Sequence, residues 1–83
     1  MIIKVKLFAV LRSKLPPGSN GEEVDLELPD GATAQDIIER LDVPEELAHL
    51  VMIDGYHVLP RERARRQLRA GEVVAIFPPI AGG

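Results

Sequence analysis

The sequence contains no cysteine and no tryptophan, and aromatic residues make up only 4% of its 83 positions. Without cysteine there are no disulfide staples, thiolate metal sites or thiol nucleophiles, and a reducing cytoplasm is the compartment that fits. No apolar run reaches the roughly 18 residues of a membrane span. The opening residues carry Lys4 and Lys6 inside an alternating pattern, unlike a signal or transit peptide, so no membrane partner is expected. Bases do not predominate: 13 acids stand against 10, for a net charge of -3, which argues against nucleic acid as a partner. There is no Walker-type glycine loop, no dinucleotide fingerprint and no His/Cys cluster at ligand spacing. Ser13 and Ser19 have no histidine base nearby. His49 and His57 are too far apart for a local metal pair and read as structural residues. No metal and no intrinsically bound cofactor is therefore expected.

What is present is a 46% hydrophobic, 28% charged chain, the composition of one small globular domain. Ile3, Val5 and Leu7 alternate with Lys4, Lys6 and Phe8, which predicts a strand with one wet face. Phe8 is a large aromatic on that wet face. Residues 13–21, with Pro16-Pro17-Gly18-Ser19-Asn20-Gly21, read as a flexible hairpin connection. Val24, Leu26 and Leu28 then mark a second strand, antiparallel to the first. Thr33, three residues before Asp36, opens a helix through Ala34, Ile37, Ile38 and Leu41. Val43-Pro44 breaks it, with Pro44 in the first turn of a second short helix whose Leu47, Ala48 and Leu50 face inward. Leu50-Val51-Met52-Ile53 reads as a central strand, and Tyr56-His57-Val58-Leu59 as a small returning one. Residues 60–69 carry Arg61, Arg63, Arg65, Arg66 and Arg69 without a strong period. They read as a loop or one short helical turn, solvated and pairing locally with Glu62 and neighbouring acids, with selection of a particular partner as the alternative. Val73 to Phe77 is apolar on both faces and belongs at the centre of a sheet.

The order of elements is α+β, and a mixed sheet clasping one helix, with first and last strands adjacent, is the β-grasp arrangement. Residues 1–77 are expected to form this domain. Residues 78–83, Pro78-Pro79-Ile80-Ala81-Gly82-Gly83, should project as an extended tail of roughly 20 Å. Two glycines lack Cβ atoms, so such an end can thread a channel too narrow for other residues and present a carboxylate with little shielding. If the first and last strands are neighbours, Phe8 and Phe77 share the outer face at the root of this tail as a docking anchor.

The ending Phe77-Pro78-Pro79-Ile80-Ala81-Gly82-Gly83, the preceding Ala70-Gly71-Glu72-Val73-Val74-Ala75-Ile76 and the opening Phe8-Ala9-Val10-Leu11-Arg12 closely resemble the MoaD/ThiS family of ubiquitin-like sulfur carriers. The Phe-Ala-x-x-Arg and Phe-Pro-Pro-x-x-Gly-Gly signatures together point to its MoaD branch, the small subunits of molybdopterin synthase. The resemblance implies a chain that is not catalytic alone. Its Gly83 carboxylate would be adenylated by a ubiquitin-activating-like (MoeB-like) enzyme, which consumes ATP, and converted to a thiocarboxylate. That group would donate sulfur within a complex with a larger (MoaE-like) synthase subunit, in molybdenum or tungsten cofactor assembly. Pro78, Pro79, Ile80, Ala81 and Gly82 would thread the partner's channel, and Phe8, Phe77 and Arg12 would bind partners. The alternatives are a carrier for thiamine thiazole synthesis or tRNA thiolation, or a ubiquitin-like modifier joined to lysines. The run at 61–69 departs from the acidic or neutral connection common in the family.

Overall fold

Alternating burial along Ile2–Leu7 makes this segment strand β1: Ile3, Val5 and Leu7 are completely buried while Lys4 and Lys6 are half-buried on the other face. In the computed structural model, which describes residues 1–80, β1 pairs antiparallel with β2 (Glu23–Glu27) and parallel with β5 (Val73–Phe77). Strand β3 (Leu50–Ile53) lies antiparallel to β5 and carries β4 (Tyr56–Val58) on its outer side. The five-stranded order is β2-β1-β5-β3-β4. This is a β-grasp sheet, mixed in direction, with the first and last strands side by side at its centre as their hydropathy requires.

One helix, α1 (Ala34–Arg40), supplies the core opposite the sheet through Ala34, Ile37 and Ile38. Its start is a complete capping box: Asp36 donates its backbone N–H to the Thr33 hydroxyl, and its carboxylate accepts the Thr33 N–H at 2.9 Å. Two of the N–H groups that a helix start leaves orphaned are thereby satisfied. The core continues through Val51 and Ile53 of β3 and Val74 and Ile76 of β5.

Three connections differ from the sequence reading. The link from β1 to β2 is ordered: Ala9–Lys14 winds as a 3₁₀ helix, and Asn20 and Glu23 exchange backbone hydrogen bonds of 2.9 and 3.1 Å around a left-handed Gly21 (φ 68°). Leu11 anchors the 3₁₀ segment in the core, a tertiary contact that local turn propensity does not reveal. After α1, Pro44 caps the short 3₁₀ helix Glu45–Leu47 from outside. Ala48 is buried there, while Leu47 and Leu50 are only half-buried.

The third difference is the arginine run. After the 3₁₀ turn Pro60–Glu62, Arg63 is buried at 5% exposure, and its guanidinium donates to the carbonyls of Ala48 (2.8 Å) and His49 (3.2 Å). Arg66 grips Glu72 through two nitrogens at 3.0 and 2.7 Å. The Glu62 carboxylate accepts the Leu59 N–H rather than pairing with a neighbouring arginine. Residues 61–69 are therefore not simply a solvated, locally paired loop. Two of the five arginines brace the chain where it crosses back to the start of β5, because orphan carbonyls and the buried Glu72 carboxylate need donors there.

Candidate functional site

The site is built where β1 and β5 end together. Leu7 stands opposite Ile76 in the parallel register, so the next residues, Phe8 and Phe77, emerge on the same outer face. Phe8 donates its N–H to the Ile76 carbonyl at 3.3 Å. The two rings stack face to face, with centroids 4.3 Å apart and planes 5° from parallel. Each shields one side of the other, which leaves both half-buried on a face otherwise turned to water.

Neighbouring elements widen this stack into a groove. Ala9 takes a left-handed backbone (φ 52°), and directly after it the chain leaves Val10 64% exposed and Leu11 1% exposed. On the opposite wall, the β3 register sets Leu50 across from Phe77, and His49 donates its N–H to the Phe77 carbonyl at 3.1 Å. Pro78, Pro79 and Ile80 leave the sheet along the third side, with Ile80 85% exposed. Together these residues enclose an open, mainly apolar groove of about 700 Å³. It contains nothing to perform acid, base or nucleophilic chemistry except the His49 imidazole. Among the described residues no three His, Asp or Glu side chains gather to hold a metal ion, and no helix is long and apolar enough to cross a membrane.

Of the residues singled out from the sequence, Phe8, Phe77, Pro78, Pro79 and Ile80 come together on this groove. Arg12 does not: it lies exposed near the end of the 3₁₀ segment Ala9–Lys14, outside the lining. Ala81, Gly82 and Gly83 lie outside the described residues. Sequence reasoning missed Val10, His49 and Leu50. His49 and His57 were expected as structural residues, yet both are exposed, because each falls where the chain turns its wet side outward. The signal that would have found His49 and Leu50 is the antiparallel register of β3 on β5, which is not written in either strand alone. Arg63 acts behind the groove wall, since the carbonyls it holds belong to the segment that carries His49. Burial lowers the pKa of its guanidinium below the ordinary value, against an opposing pull from Glu45.

The comparisons agree with this architecture. Among curated proteins none matches the sequence significantly. The chain is similar in structure to the HVO 2177 protein of Haloferax volcanii, with 25% identity, a TM-score of 0.76, and coverage of 100% of this chain and 87% of that one. It is similar to a putative molybdopterin converting factor subunit 1 from Pyrococcus furiosus, with 29% identity, a TM-score of 0.69, and coverage of 95% and 98%. In fold it also resembles a complex of subunits 1 and 2 of the molybdopterin-converting factor from Helicobacter pylori, at 17% identity, a TM-score of 0.60 and full coverage of both chains. The model of the ThiS family matches residues 5–83. A β-grasp sheet, an apolar groove at the end of its last strand and a family match through the final glycine lead to one conclusion: the chain belongs to the ThiS family, whose members are ubiquitin-like sulfur carriers.

Proposed function

We propose that this sulfur carrier is the small subunit of a molybdopterin synthase, working in the cytoplasm, and that Gly83 is its reactive residue. A carboxylate is a poor electrophile, so a sulfur donor cannot displace its oxygen directly. A partner adenylating enzyme, MoeB-like, joins the Gly83 carboxylate to the AMP portion of ATP and releases pyrophosphate. Sulfide (HS⁻) from a donor then attacks the acyl carbon, AMP leaves, and a thiocarboxylate remains. That anion is nucleophilic at neutral pH without a helper base. Its sulfur bonds to the pterin precursor of a molybdenum or tungsten cofactor held by a larger, MoaE-like subunit, water cleaves the acyl–sulfur bond and restores the Gly83 carboxylate, and a second such transfer completes the dithiolation.

The observation that carries this reading is the apolar groove beside Phe77, because a chain that only delivers a reactive end needs a surface that docks its root. Phe8 and Phe77 form the floor of that groove, and Pro78 to Gly82 are the stretch that enters the partner. Arg12, exposed in the 3₁₀ segment Ala9–Lys14 and outside the groove lining, would meet an acid on the partner. The likeness to a converting factor subunit 1, together with the Phe-Pro-Pro-x-x-Gly-Gly ending, favours the pterin pathway over thiazole synthesis, tRNA thiolation or lysine modification.

The test is intact mass spectrometry after incubation with the adenylating enzyme, ATP and a sulfur donor. Replacement of one carboxylate oxygen by sulfur is expected, and deletion of Gly83 should abolish it without changing the thermal melt. A deleted chain that still gains sulfur overturns the role of Gly83. Lysine-linked adducts of higher mass would make the chain a modifier, and sulfur loading without pterin dithiolation in the presence of the large subunit would assign another pathway.

A further inference from the structure

Residues 61–69 contain five arginines and one glutamate, for a net charge of +4, while the remainder of the chain carries five bases and twelve acids, for a net charge of -7. Half of all the basic residues thus sit in nine positions of an otherwise acidic protein. The acids within reach are engaged elsewhere. Glu62 accepts the Leu59 N–H at 3.1 Å, and Glu72 accepts both Arg66 nitrogens and the Arg69 backbone N–H, the last at 2.6 Å. Arg65 and Arg69 are exposed, and among the described residues neither forms an ion pair.

The backbone that presents them is pinned at several points. Arg63 is buried, Leu68 is buried and donates its N–H to the Ala32 carbonyl at 2.8 Å, and Gln67 bridges to Thr33. Arg65, Arg66 and Arg69 border a shallow polar hollow of about 490 Å³ together with Gln67 and Leu68. A surface held this way loses little backbone entropy when something binds. It is also distinct from the Phe8–Phe77 groove: Glu72 lies just before β5 and Phe77 at its far end, roughly 16 Å apart along the strand direction.

We propose that Arg65 and Arg69, flanking the Arg66–Glu72 pair, form a second docking surface that takes a short acidic segment of a protein partner. A guanidinium fork matches a carboxylate in two parallel hydrogen bonds, which suits this surface to Asp and Glu side chains. Its extent selects a protein over a nucleic acid. The hollow is bordered by residues 65–69 alone, and the rest of the chain outside 61–69 carries a net charge of -7, so the basic surface is confined. A phosphate backbone would run past the hollow onto the net negative remainder, whereas two or three carboxylates fit within it.

The test is a titration of the full isotope-labelled chain with a capped hexaglutamate peptide at low and at physiological salt, read by NMR. Shifts are expected at the Arg65 and Arg69 side-chain N–H groups and at the 65–69 amides, with none at Phe8 or Phe77, and weaker binding at the higher salt. Arg65→Glu with Arg69→Glu should weaken binding about tenfold or more, while the same charge change at Lys6→Glu with Lys14→Glu leaves it unchanged. Thermal melts confirm folding, and Arg65→Gln with Arg69→Gln serves if the reversed variant does not fold. Absence of binding, an equal loss in the lysine variant, or tighter binding of oligothymidylate than of the peptide would each overturn the proposal.

Discussion

Leu7 and Ile76 stand opposite each other where parallel strands β1 and β5 end, and that single register places the Phe8 ring on the Phe77 ring one residue later. Because each ring covers the other, their contributions are coupled. A double-mutant cycle of Phe8→Ala and Phe77→Ala, followed by urea unfolding, should return a coupling of about 0.5–1.5 kcal/mol. Under the proposed function, the same variants should also weaken binding to an adenylating enzyme about tenfold or more. Additive losses in the unfolding cycle would show that the stack contributes nothing beyond area.

Ala9 sits in a left-handed backbone conformation that costs a residue with a Cβ about 1–2 kcal/mol. An ordinary Ala→Gly change loses about 0.4–1 kcal/mol through the freer unfolded chain. At this position the two effects oppose, so Ala9→Gly should leave stability unchanged or raise it by up to about 1.6 kcal/mol. The urea midpoint measures this directly, and a clear drop would show that the conformation is unstrained.

Arg63 holds the carbonyls of Ala48 and His49, immediately before β3. Arg63→Met fills a similar volume but leaves the Ala48 and His49 oxygens without their partner, at a cost of about 1–3 kcal/mol. The His49 amide, bonded to Phe77, should exchange with deuterium faster in the variant than the amides of α1 do. Equal acceleration throughout would mean that only global stability had changed.

Glu72 makes stability depend on acid. Its hydrogen bonds from Arg66 hold the carboxyl below the ordinary value of 4.5, helped by the Arg69 amide and opposed by burial. Since the folded value is the lower one, this contribution is complete above the unfolded value and disappears as pH falls through the folded one. Glu72→Gln should cost about 1–2 kcal/mol near neutral pH, discounted for the partly exposed Arg66, and should flatten the loss of stability in acid. A variant that loses stability in acid as steeply as the parent would refute the assignment. The Arg66 guanidinium, raised chiefly by the same hydrogen bond, remains charged throughout.

Much of the fold was legible because its signals are local. The alternation of Ile3, Val5 and Leu7, the Thr33/Asp36 box and the two-sided apolarity of residues 73–77 each follow from period or spacing, and each appears in the structure. The ordering of the 3₁₀ segment Ala9–Lys14 was not legible, since it depends on Leu11 reaching a core assembled from distant strands. The buried role of Arg63 was hidden for the same reason: its partners lie 15 and 14 residues away. A guanidinium in a run of charges looks solvated until the chain folds over it.

The site divides along the same line. Sequence alone determined the family, the β-grasp order and the apolar character of Phe8 and Phe77, because composition, spacing and motif are carried by consecutive residues. Only tertiary structure decided that these rings touch, that Val10, His49 and Leu50 complete the groove, and that Arg12 stands outside it. The physical reason is register: one parallel and one antiparallel pairing bring together groove segments separated by more than twenty-five residues, and no local preference specifies which residues meet.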